Sequence, residues 1–365
     1  MRVLIKEVQE GCILSEDVVG SSGRSIVQKK TVLTSELLGV LKAFLVPELE
    51  VEKTLSSGHP FIPNEILLDD EEVSREENEE QRELTFTELF LQASRSFKKE
   101  FRSWQAGLPV DVTKVRSIIF PLIEKIDHNQ VDLFQLHHFS TEEDYLYQHA
   151  VAVGLISSFI SKKLGFNKGE IVQVALAGAL SDCGMAKLSE GILNKKTPLT
   201  QEEYQEVKNH PTNSYRLIQS TPFIREAGKI AIFQHHERLD GSGYPLGEKG
   251  QKIHQYAKII GVADTFHAMT SQRLYRKKQS PFKVLEMMLQ DLFGQFDIAS
   301  IRALQSGILN ISIGSIVKLS NGQEAEILFI DENAPTRPLV KVLSTDEIIH
   351  LQRNRMLFID EVKIP

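Results

Sequence analysis

The order of apolar and polar positions changes character three times along the chain. In the first part, Val3-Leu4-Ile5 and Ser25-Ile26-Val27 are short apolar runs separated by glycines, which is typical of strands joined by turns. Ser35-Glu-Leu-Leu-Gly-Val-Leu-Lys predicts a capped helix, and Leu49-Glu-Val-Glu alternates like a further strand. We therefore expect a small β-rich module over residues 1–55.

From about residue 85 the apolar positions recur at steps of three and four residues, which predicts amphipathic helices. The first such stripe ends at Gly107 and Pro109 and contains Leu89, Phe90, Ala93, Phe97, Phe101 and Trp104. A second stripe runs from Val112 to Ile126. This second stripe fits either a face of a helical bundle or the seam of a homodimer.

Helical periodicity continues to about residue 308, after which strand alternation returns around Asn321-Gly322, a pair typical of hairpin turns. We expect a mainly α fold with a small β-barrel-like unit at the carboxyl end. The predicted segments are the amino-terminal module (1–55), a linker (56–84), a helical connector (85–134), a helical domain (135–308) and a small β domain (309–365).

Composition narrows the class of protein. The 365 residues are 41% hydrophobic and 25% charged, and they include two cysteines, Cys12 and Cys183. Two cysteines cannot form a disulfide framework, so a reducing, cytoplasmic location is expected. No run reaches the roughly 18 apolar residues of a membrane-spanning helix, and the first residues do not resemble a signal peptide.

The net charge of −7 is concentrated in one segment. Residues 69–83 contain nine acidic residues and two arginines, so they account for the whole imbalance. Such a block is typical of a solvated linker or, alternatively, of a tail that binds a basic partner. The remaining chain is near neutral, which argues against binding to a nucleic-acid duplex.

Histidines and aspartates recur through the helical domain at intervals of about one helical hairpin. They are His149, Asp182, His210, His235, His236 and Asp264. A single buried histidine is usually a hydrogen-bonded core residue, but this spacing allows ligands from different helices to converge inside a bundle. Imidazole and carboxylate together suit Fe, Mn, Zn or Ni, and a carboxylate can bridge two ions.

The segment His235-His-Glu-Arg-Leu-Asp-Gly-Ser-Gly-Tyr-Pro245 resembles the HD-GYP family, a branch of the HD superfamily of metal-dependent phosphohydrolases. The resemblance extends to Asp144-Tyr-Leu-Tyr-Gln-His149, to Val207-Lys-Asn-His210-Pro and to Ile260-Gly-Val-Ala-Asp264 with its continuation to Arg276. It covers roughly residues 135–300 and implies an HD-type helical bundle. It also implies a bacterial source and a role in signalling, with signalling proteins as further partners.

The resemblance implies hydrolysis of cyclic di-GMP to pGpG or GMP with one or two divalent ions, Fe or Mn first and Zn or Ni as alternatives. Motif matching gives His149, Asp182, His210, His235, His236 and Asp264 as metal ligands, with Asp182 as the bridging, catalytic carboxylate. The same matching gives three arginines for phosphate and one tyrosine for a guanine or a partner protein: Arg238, Arg273, Arg276 and Tyr244.

The chain departs from the family pattern at three positions. Ser181 stands where the family has a ligand histidine, which removes one donor from one of the two metal positions. Met185 replaces a lysine that many members place near the substrate phosphate, and Tyr145 replaces a glutamate that holds a third metal in some members. Three functions stay open: a phosphodiesterase, a catalytically poor cyclic di-GMP receptor, and an interaction module that binds no nucleotide.

Three other histidines carry weaker signals. His267 follows Asp264 by three residues, so on a helix the two share a face, which favours a supporting or surface position over substrate contact. His137 and His138 precede the first matched motif of the domain, at Asp144, and we expect them at an exposed helix end.

Overall fold

A computed structural model describes residues 1–19, 25–43, 46–63, 84–126, 133, 136–141, 143–271, 278–290, 292–308, 311–332 and 334–363. The acidic segment 69–83 lies outside the described residues. The described structure comprises two small amino-terminal sheets, a helical body and a carboxy-terminal sheet. The prediction of a mainly α protein with a β-rich module at each end is confirmed.

The amino-terminal module has a hydrophobic core of its own. Strand β1 (Arg2–Leu4) pairs antiparallel with β4 (Glu48–Glu50), β2 (Val18–Val19) pairs with β3 (Ser25–Val27), and α1 spans Ser35–Ala43. The module lies directly against the helical body: a Cβ at Gly58 would come within 2.9 Å of the carbonyl oxygen of Leu91. Only glycine allows this approach, and its φ of +80° also favours glycine.

The helical body begins with two amphipathic helices, α2 (Phe86–Gln105) and α3 (Val112–Lys125). Thr85 and Glu88 form a reciprocal capping box that starts α2, and Asp111 caps α3. Both apolar stripes are buried in the same core as the helices that follow. The α3 stripe is therefore a bundle face, and a homodimer stays a prediction.

The remaining helices are α4 (Tyr145–Lys163), α5 (Lys168–Leu180), α6 (Glu190–Leu193), α7 (Gln201–Lys208), α8 (His210–Ile218), α9 (Glu226–Gln234), α10 (Gln255–Thr270), α11 (Pro281–Leu289) and α12 (Ile298–Ile308). Helices α4 and α5 pack closely because Gly154 and Gly178 face each other, and a Cβ on Gly154 would lie 2.9 Å from a carbonyl oxygen of α5. These helices, with α9 and α10, surround the candidate site.

The carboxy-terminal sheet is antiparallel, with the strand order β8 (Ile348–His350), β7 (Leu339–Val342), β6 (Glu324–Phe329), β5 (Ile316–Leu319) and β9 (Ile359–Lys363). Among the described strands β8 and β9 are not paired, so this is an open sheet and the barrel-like closure expected from the sequence is absent. Alternation predicts strands but not their closure, which depends on tilt and register.

A buried ion pair joins this sheet to the helical body. Arg337 Nη2 donates to Glu286 Oε2 on α11 at 2.7 Å, and Arg337 Nη1 donates to the carbonyls of Leu351 and Leu357. Phe282 of α11 belongs to the core of the sheet. The segment boundaries predicted from the sequence stay predictions. Within the described residues, every helix is too short or too polar to span a membrane.

Candidate metal centre

The six predicted ligands lie at the centre of the helical body, on segments that local sequence places there. His149 lies in the second turn of α4, Asp182 follows the end of α5, and His210 is the first residue of α8. His235 and His236 follow the end of α9, and Asp264 lies within α10. The structure brings all six together in two overlapping groups.

The first group consists of Asp182, His210, His235 and His236, whose candidate ligand atoms all lie within 4.8 Å of one another. His210 Nε2 lies 3.1 Å from Asp182 Oδ1 and 3.2 Å from His235 Nε2. His235 Nε2 lies 3.5 Å from the same carboxylate oxygen. Three donor atoms from three different segments thus point at one small volume.

Backbone carbonyls determine which nitrogen of two imidazoles carries the proton. His210 Nδ1 donates to the carbonyl of Val207 at 2.7 Å, and His235 Nδ1 donates to the carbonyl of Ile232 at 2.7 Å. In the neutral rings both Nε2 atoms are consequently unprotonated. Two lone pairs that face each other at 3.2 Å have no proton between them, and a shared cation would satisfy both.

The second group consists of His149, Asp182 and Asp264. His149 Nε2 lies 2.9 Å from Asp264 Oδ1 and 3.7 Å from Asp182 Oδ2. Asp182 therefore turns one oxygen to each group, which is the arrangement of a carboxylate that bridges two ions. His236 Nδ1, 3.8 Å from Asp264 Oδ2, links the groups on the other side.

The pKa of each carboxyl group lies below its ordinary value, although Asp264 is buried and Asp182 is partly buried. Burial opposes ionisation of Asp182, but the rings of His210 and His235, when they also carry a proton on Nε2, donate hydrogen bonds that hold its pKa well below the ordinary value. Burial likewise opposes ionisation of Asp264, and a protonated Nε2 of His149 lowers its pKa in the same way. Two negative charges therefore occupy one small volume, where either protonated imidazoles or a metal cation that takes the place of their protons would compensate them.

Two histidines of the first group respond to burial in opposite directions. Burial and the neighbouring His235 hold the pKa of His236 well below its ordinary value, so this ring is neutral and free to donate a lone pair. Burial also disfavours the charged form of His210, but the hydrogen bond and charge of Asp182 outweigh it and raise the pKa. A metal cation would take the place of the proton on His210, and the resulting donor set of neutral imidazoles and carboxylates fits divalent Fe, Mn, Zn or Ni.

His267 contacts the Nδ1 side of the His149 ring, opposite the candidate ligand atom Nε2. It is 1% exposed, its Nδ1 lies 2.9 Å from His149 Nδ1, and the hydroxyl of Tyr145 lies 3.2 Å from the same nitrogen. Because both neighbours can accept a hydrogen bond from Nδ1–H of His149, they favour the tautomer of His149 in which Nε2 carries the lone pair. The expectation of a supporting position for His267 agrees with this geometry.

Ser181 does not supply a donor to either group. It is buried at the end of α5, and its Oγ donates to the carbonyl of Gly178 at 2.7 Å. Its own carbonyl accepts a hydrogen bond from Ser214 Oγ at 2.6 Å. The group of three therefore has one protein ligand fewer than the group of four, as the sequence predicts.

Glycines allow the loops to pass close to the ligands. A Cβ on Gly184 would lie 2.3 Å from the carbonyl oxygen of His210, and a Cβ on Gly243 would lie 2.4 Å from that of His236. Glu237 then organises the following loop, because its carboxylate accepts from the backbone N–H groups of Leu246 and Glu248 at 2.7 and 2.9 Å. Glu237 was not predicted from the sequence, because no spacing distinguishes it from a surface glutamate.

The predicted substrate residues have different surroundings. Tyr244 stacks on His236, with ring centroids 4.7 Å apart. Arg238 Nη1 donates to the carbonyls of His235 and Glu237, and its guanidinium lies over the ring of Phe296 at 4.6 Å, so it supports the turn after the histidine pair. The remaining two arginines, Arg273 and Arg276, lie outside the described residues.

One expectation about the domain edge is wrong. Leu136–Phe139 form a short 3-10 helix, and His137 is 8% exposed, so it is not at an exposed helix end. The ring of His137 lies 4.1 Å from that of His138, and burial with the charge of His137 holds the pKa of His138 well below its ordinary value. Tertiary packing against the helical body buries this segment, which no local pattern indicates.

Comparison with known families agrees with the geometry. The family model of the HD domain matches residues 138–297, the range that contains both ligand groups. The chain carries an HD domain.

Curated relatives are similar in sequence to part of this chain. It is 28% identical over 242 residues to the cyclic di-GMP phosphodiesterase PA4108 of Pseudomonas aeruginosa, covering 66% of this chain and 58% of the relative. It is 33% identical over 151 residues to the 3'3'-cGAMP-specific phosphodiesterase 1 of Vibrio cholerae, covering 41% of this chain and 35% of the relative. The chain therefore spans little more than half of the first relative and about a third of the second.

A solved structure extends the likeness of the fold beyond the HD domain. Bd1817, a HDG"Y"P protein from Bdellovibrio bacteriovorus, matches 84% of this chain and 98% of its own length with a TM-score of 0.50. The two sequences are 15% identical, so the match shows a shared fold and nothing about activity.

Proposed function

We propose that the HD domain of this chain is a metal-dependent phosphodiesterase that opens a cyclic dinucleotide, with cyclic di-GMP as substrate and pGpG or GMP as product. The observation that carries the proposal is the convergence of six side chains into two groups that share Asp182. The names of relatives that match at 28% to 33% identity support the substrate class.

His210, His235 and His236 would hold one ion together with Asp182, and His149 and Asp264 would hold the second with the other oxygen of Asp182. Two divalent ions at these positions would neutralise the phosphodiester oxygens and acidify an attacking water. Fe and Mn are our first choice, with Zn and Ni as alternatives, because imidazole and carboxylate ligands suit all four.

The chain's own residues supply position and charge. Asp182 is the catalytic carboxylate, since its low pKa keeps it ionised and able to serve both groups. His267 and Tyr145 orient His149, and Glu237 and Arg238 hold the loop that follows the histidine pair. Arg238, Arg273 and Arg276 are proposed to compensate phosphate charge, and Tyr244 to contact a base.

A second function is favoured by Ser181, whose hydroxyl is hydrogen-bonded to its own helix. With only three protein ligands, the second ion binds weakly, and hydrolysis that needs both ions is slow. The protein would then be a cyclic di-GMP receptor with little turnover. We propose a bacterial cytoplasmic signalling role in either case, with signalling proteins as further partners.

The test compares binding and turnover in one preparation. Purified protein loaded with manganese or ferrous iron is mixed with cyclic di-GMP, and pGpG and GMP are quantified by liquid chromatography. Metal-dependent product formation supports the enzyme, whereas saturable calorimetric binding without product supports the receptor. Absence of both at high protein concentration contradicts both, and the same assay with 3'3'-cGAMP tests the substrate of the Vibrio relative.

A further inference from the structure

Lys208, the last residue of α7, holds its ammonium group between two tyrosine rings. Its Nζ lies 4.9 Å from the ring centroid of Tyr244 and 5.6 Å from that of Tyr204. Tyr204 lies one helical turn before Lys208, so both project from the same face of α7. Tyr244 comes from the loop after the histidine pair. The two rings fix the position of a side chain that is otherwise flexible.

This charge lies beside the candidate metal centre. Tyr244 stacks on the ring of His236, one of the four ligands of the first group, and His210 follows Lys208 by two residues. A single aromatic ring thus separates the ammonium group from the candidate ligands. Tyr204 is 51% exposed, so the stack of His236, Tyr244, Lys208 and Tyr204 leads from the centre to solvent.

Lys208 has no carboxylate partner among the residues that the structure describes. By contrast, Glu203 of α7, the helix that contains Lys208, forms an ion pair with Lys195 from the preceding loop. Lys208 is thus a half-buried, positioned cation beside the candidate metal centre, and its charge favours an anionic group of a ligand that occupies the centre.

We propose that Lys208 is a substrate-binding residue whose ammonium group contacts a phosphate of the cyclic dinucleotide, with Tyr204 and Tyr244 holding it in place. The proposal deepens the proposed function and rests on it. The competing interpretation is structural: the cation would only hold the loop of Tyr244 against α7. The two differ in whether removing the charge changes ligand affinity without changing stability or metal content.

The test uses Lys208→Gln, Lys208→Arg and a matched control, Lys163→Gln. Lys163 lies over the ring of Phe159 at 5.3 Å, so the control removes the same charge from the same kind of contact. It lies near the end of α4, about 20 Å along that helix from His149. Calorimetry measures the Kd of cyclic di-GMP in the EDTA-treated protein, where no turnover occurs, and initial rates with manganese give KM and kcat.

We expect Lys208→Gln to raise Kd and KM by about tenfold to a hundredfold, as loss of a charge-assisted hydrogen bond does. We expect kcat, melting temperature and bound manganese to stay as in the wild type, Lys208→Arg to recover affinity to within about threefold, and Lys163→Gln to bind like the wild type.

The unsuccessful outcomes are distinguishable. If the wild type neither binds nor hydrolyses cyclic di-GMP, the proposed function fails and this proposal fails with it. If the wild type binds and Lys208→Gln binds equally well, only this proposal is overturned. If Lys208→Gln loses affinity together with manganese or melting temperature, the structural interpretation of Lys208 is correct.

Discussion

Replacing Ser181 by histidine is the change that addresses the weaker of the two ligand groups. Ser181 ends α5 in helical conformation, and its hydroxyl donates to the carbonyl of Gly178. That hydrogen bond does not depend on the cluster, and its loss costs about 1 kcal/mol. Asp182 is the next residue and already serves both groups. An imidazole at position 181, next to Asp182 at the end of α5, is therefore expected to supply the donor that the group of three lacks.

The expected gain follows from the number of ligands. The group of His149, Asp182 and Asp264 has three protein ligands, and the group around His210 has four. A fourth ligand should raise occupancy of the weaker ion, and since two ions stabilise both attacking and leaving oxygens, hydrolysis should rise at least about tenfold, roughly 1.4 kcal/mol of barrier. Ser181 is buried, so the larger ring also costs about 1–3 kcal/mol of folding free energy.

The assay is the rate of pGpG formation at saturating manganese or ferrous iron, with metal stoichiometry from elemental analysis of the same sample. Ser181→Ala is the control, because it removes the hydroxyl and adds no donor, and its rate should equal that of the wild type. A variant Ser181→His that binds two ions but hydrolyses no faster refutes the reasoning, and Met185 is then the next position to change. A wild type that already binds two ions and turns over rapidly refutes it as well.

Three further predictions concern the centre. His235→Ala should lower bound metal more than Ser181→Ala does, whereas His59→Ala, an exposed histidine of the amino-terminal module, should leave it unchanged by elemental analysis. Gly184→Ala should lower the free energy of unfolding by about 1–3 kcal/mol in urea titrations, since its Cβ would lie 2.3 Å from a carbonyl oxygen, while Gly191→Ala, with its nearest atom at 3.9 Å, should be near neutral. Cyclic di-GMP should bind at micromolar concentration by calorimetry, more weakly in Arg273→Ala, and absence of heat from metal-loaded wild type would contradict both nucleotide functions.

Sequence patterns predicted the main helices and the six residues that the structure brings into one cluster. Spacing of apolar residues predicted α2 and α3, and the capping pairs at Thr85 and Asp111 lie where those helices begin. Periodicity succeeds here because burial of one helix face is a local consequence of residue order. The six candidate ligands were predicted for a different reason: they match the motifs of the HD-GYP family, and metal chemistry accepts few side chains. The structure brings the six together, and their role as ligands stays a prediction.

Features that depend on contacts between segments far apart in the chain were determined only by the tertiary structure. The burial of His137, the open edge of the carboxy-terminal sheet and the contact between His149 and His267 all arise from packing of elements far apart in the chain. The position of Lys208 between two tyrosines is of the same kind, since Tyr244 comes from another loop.

Residue order by itself determined which side chains are available and on which helix face they lie. Only the packed structure determined that Asp182 turns one oxygen to each ligand group and that Ser181 bonds to its own helix instead. The physical reason is the distance along the chain over which each effect acts. Helical periodicity acts over a few residues, whereas a metal centre needs atoms from five segments placed within a few ångströms, and only the close packing of the helices supplies that precision.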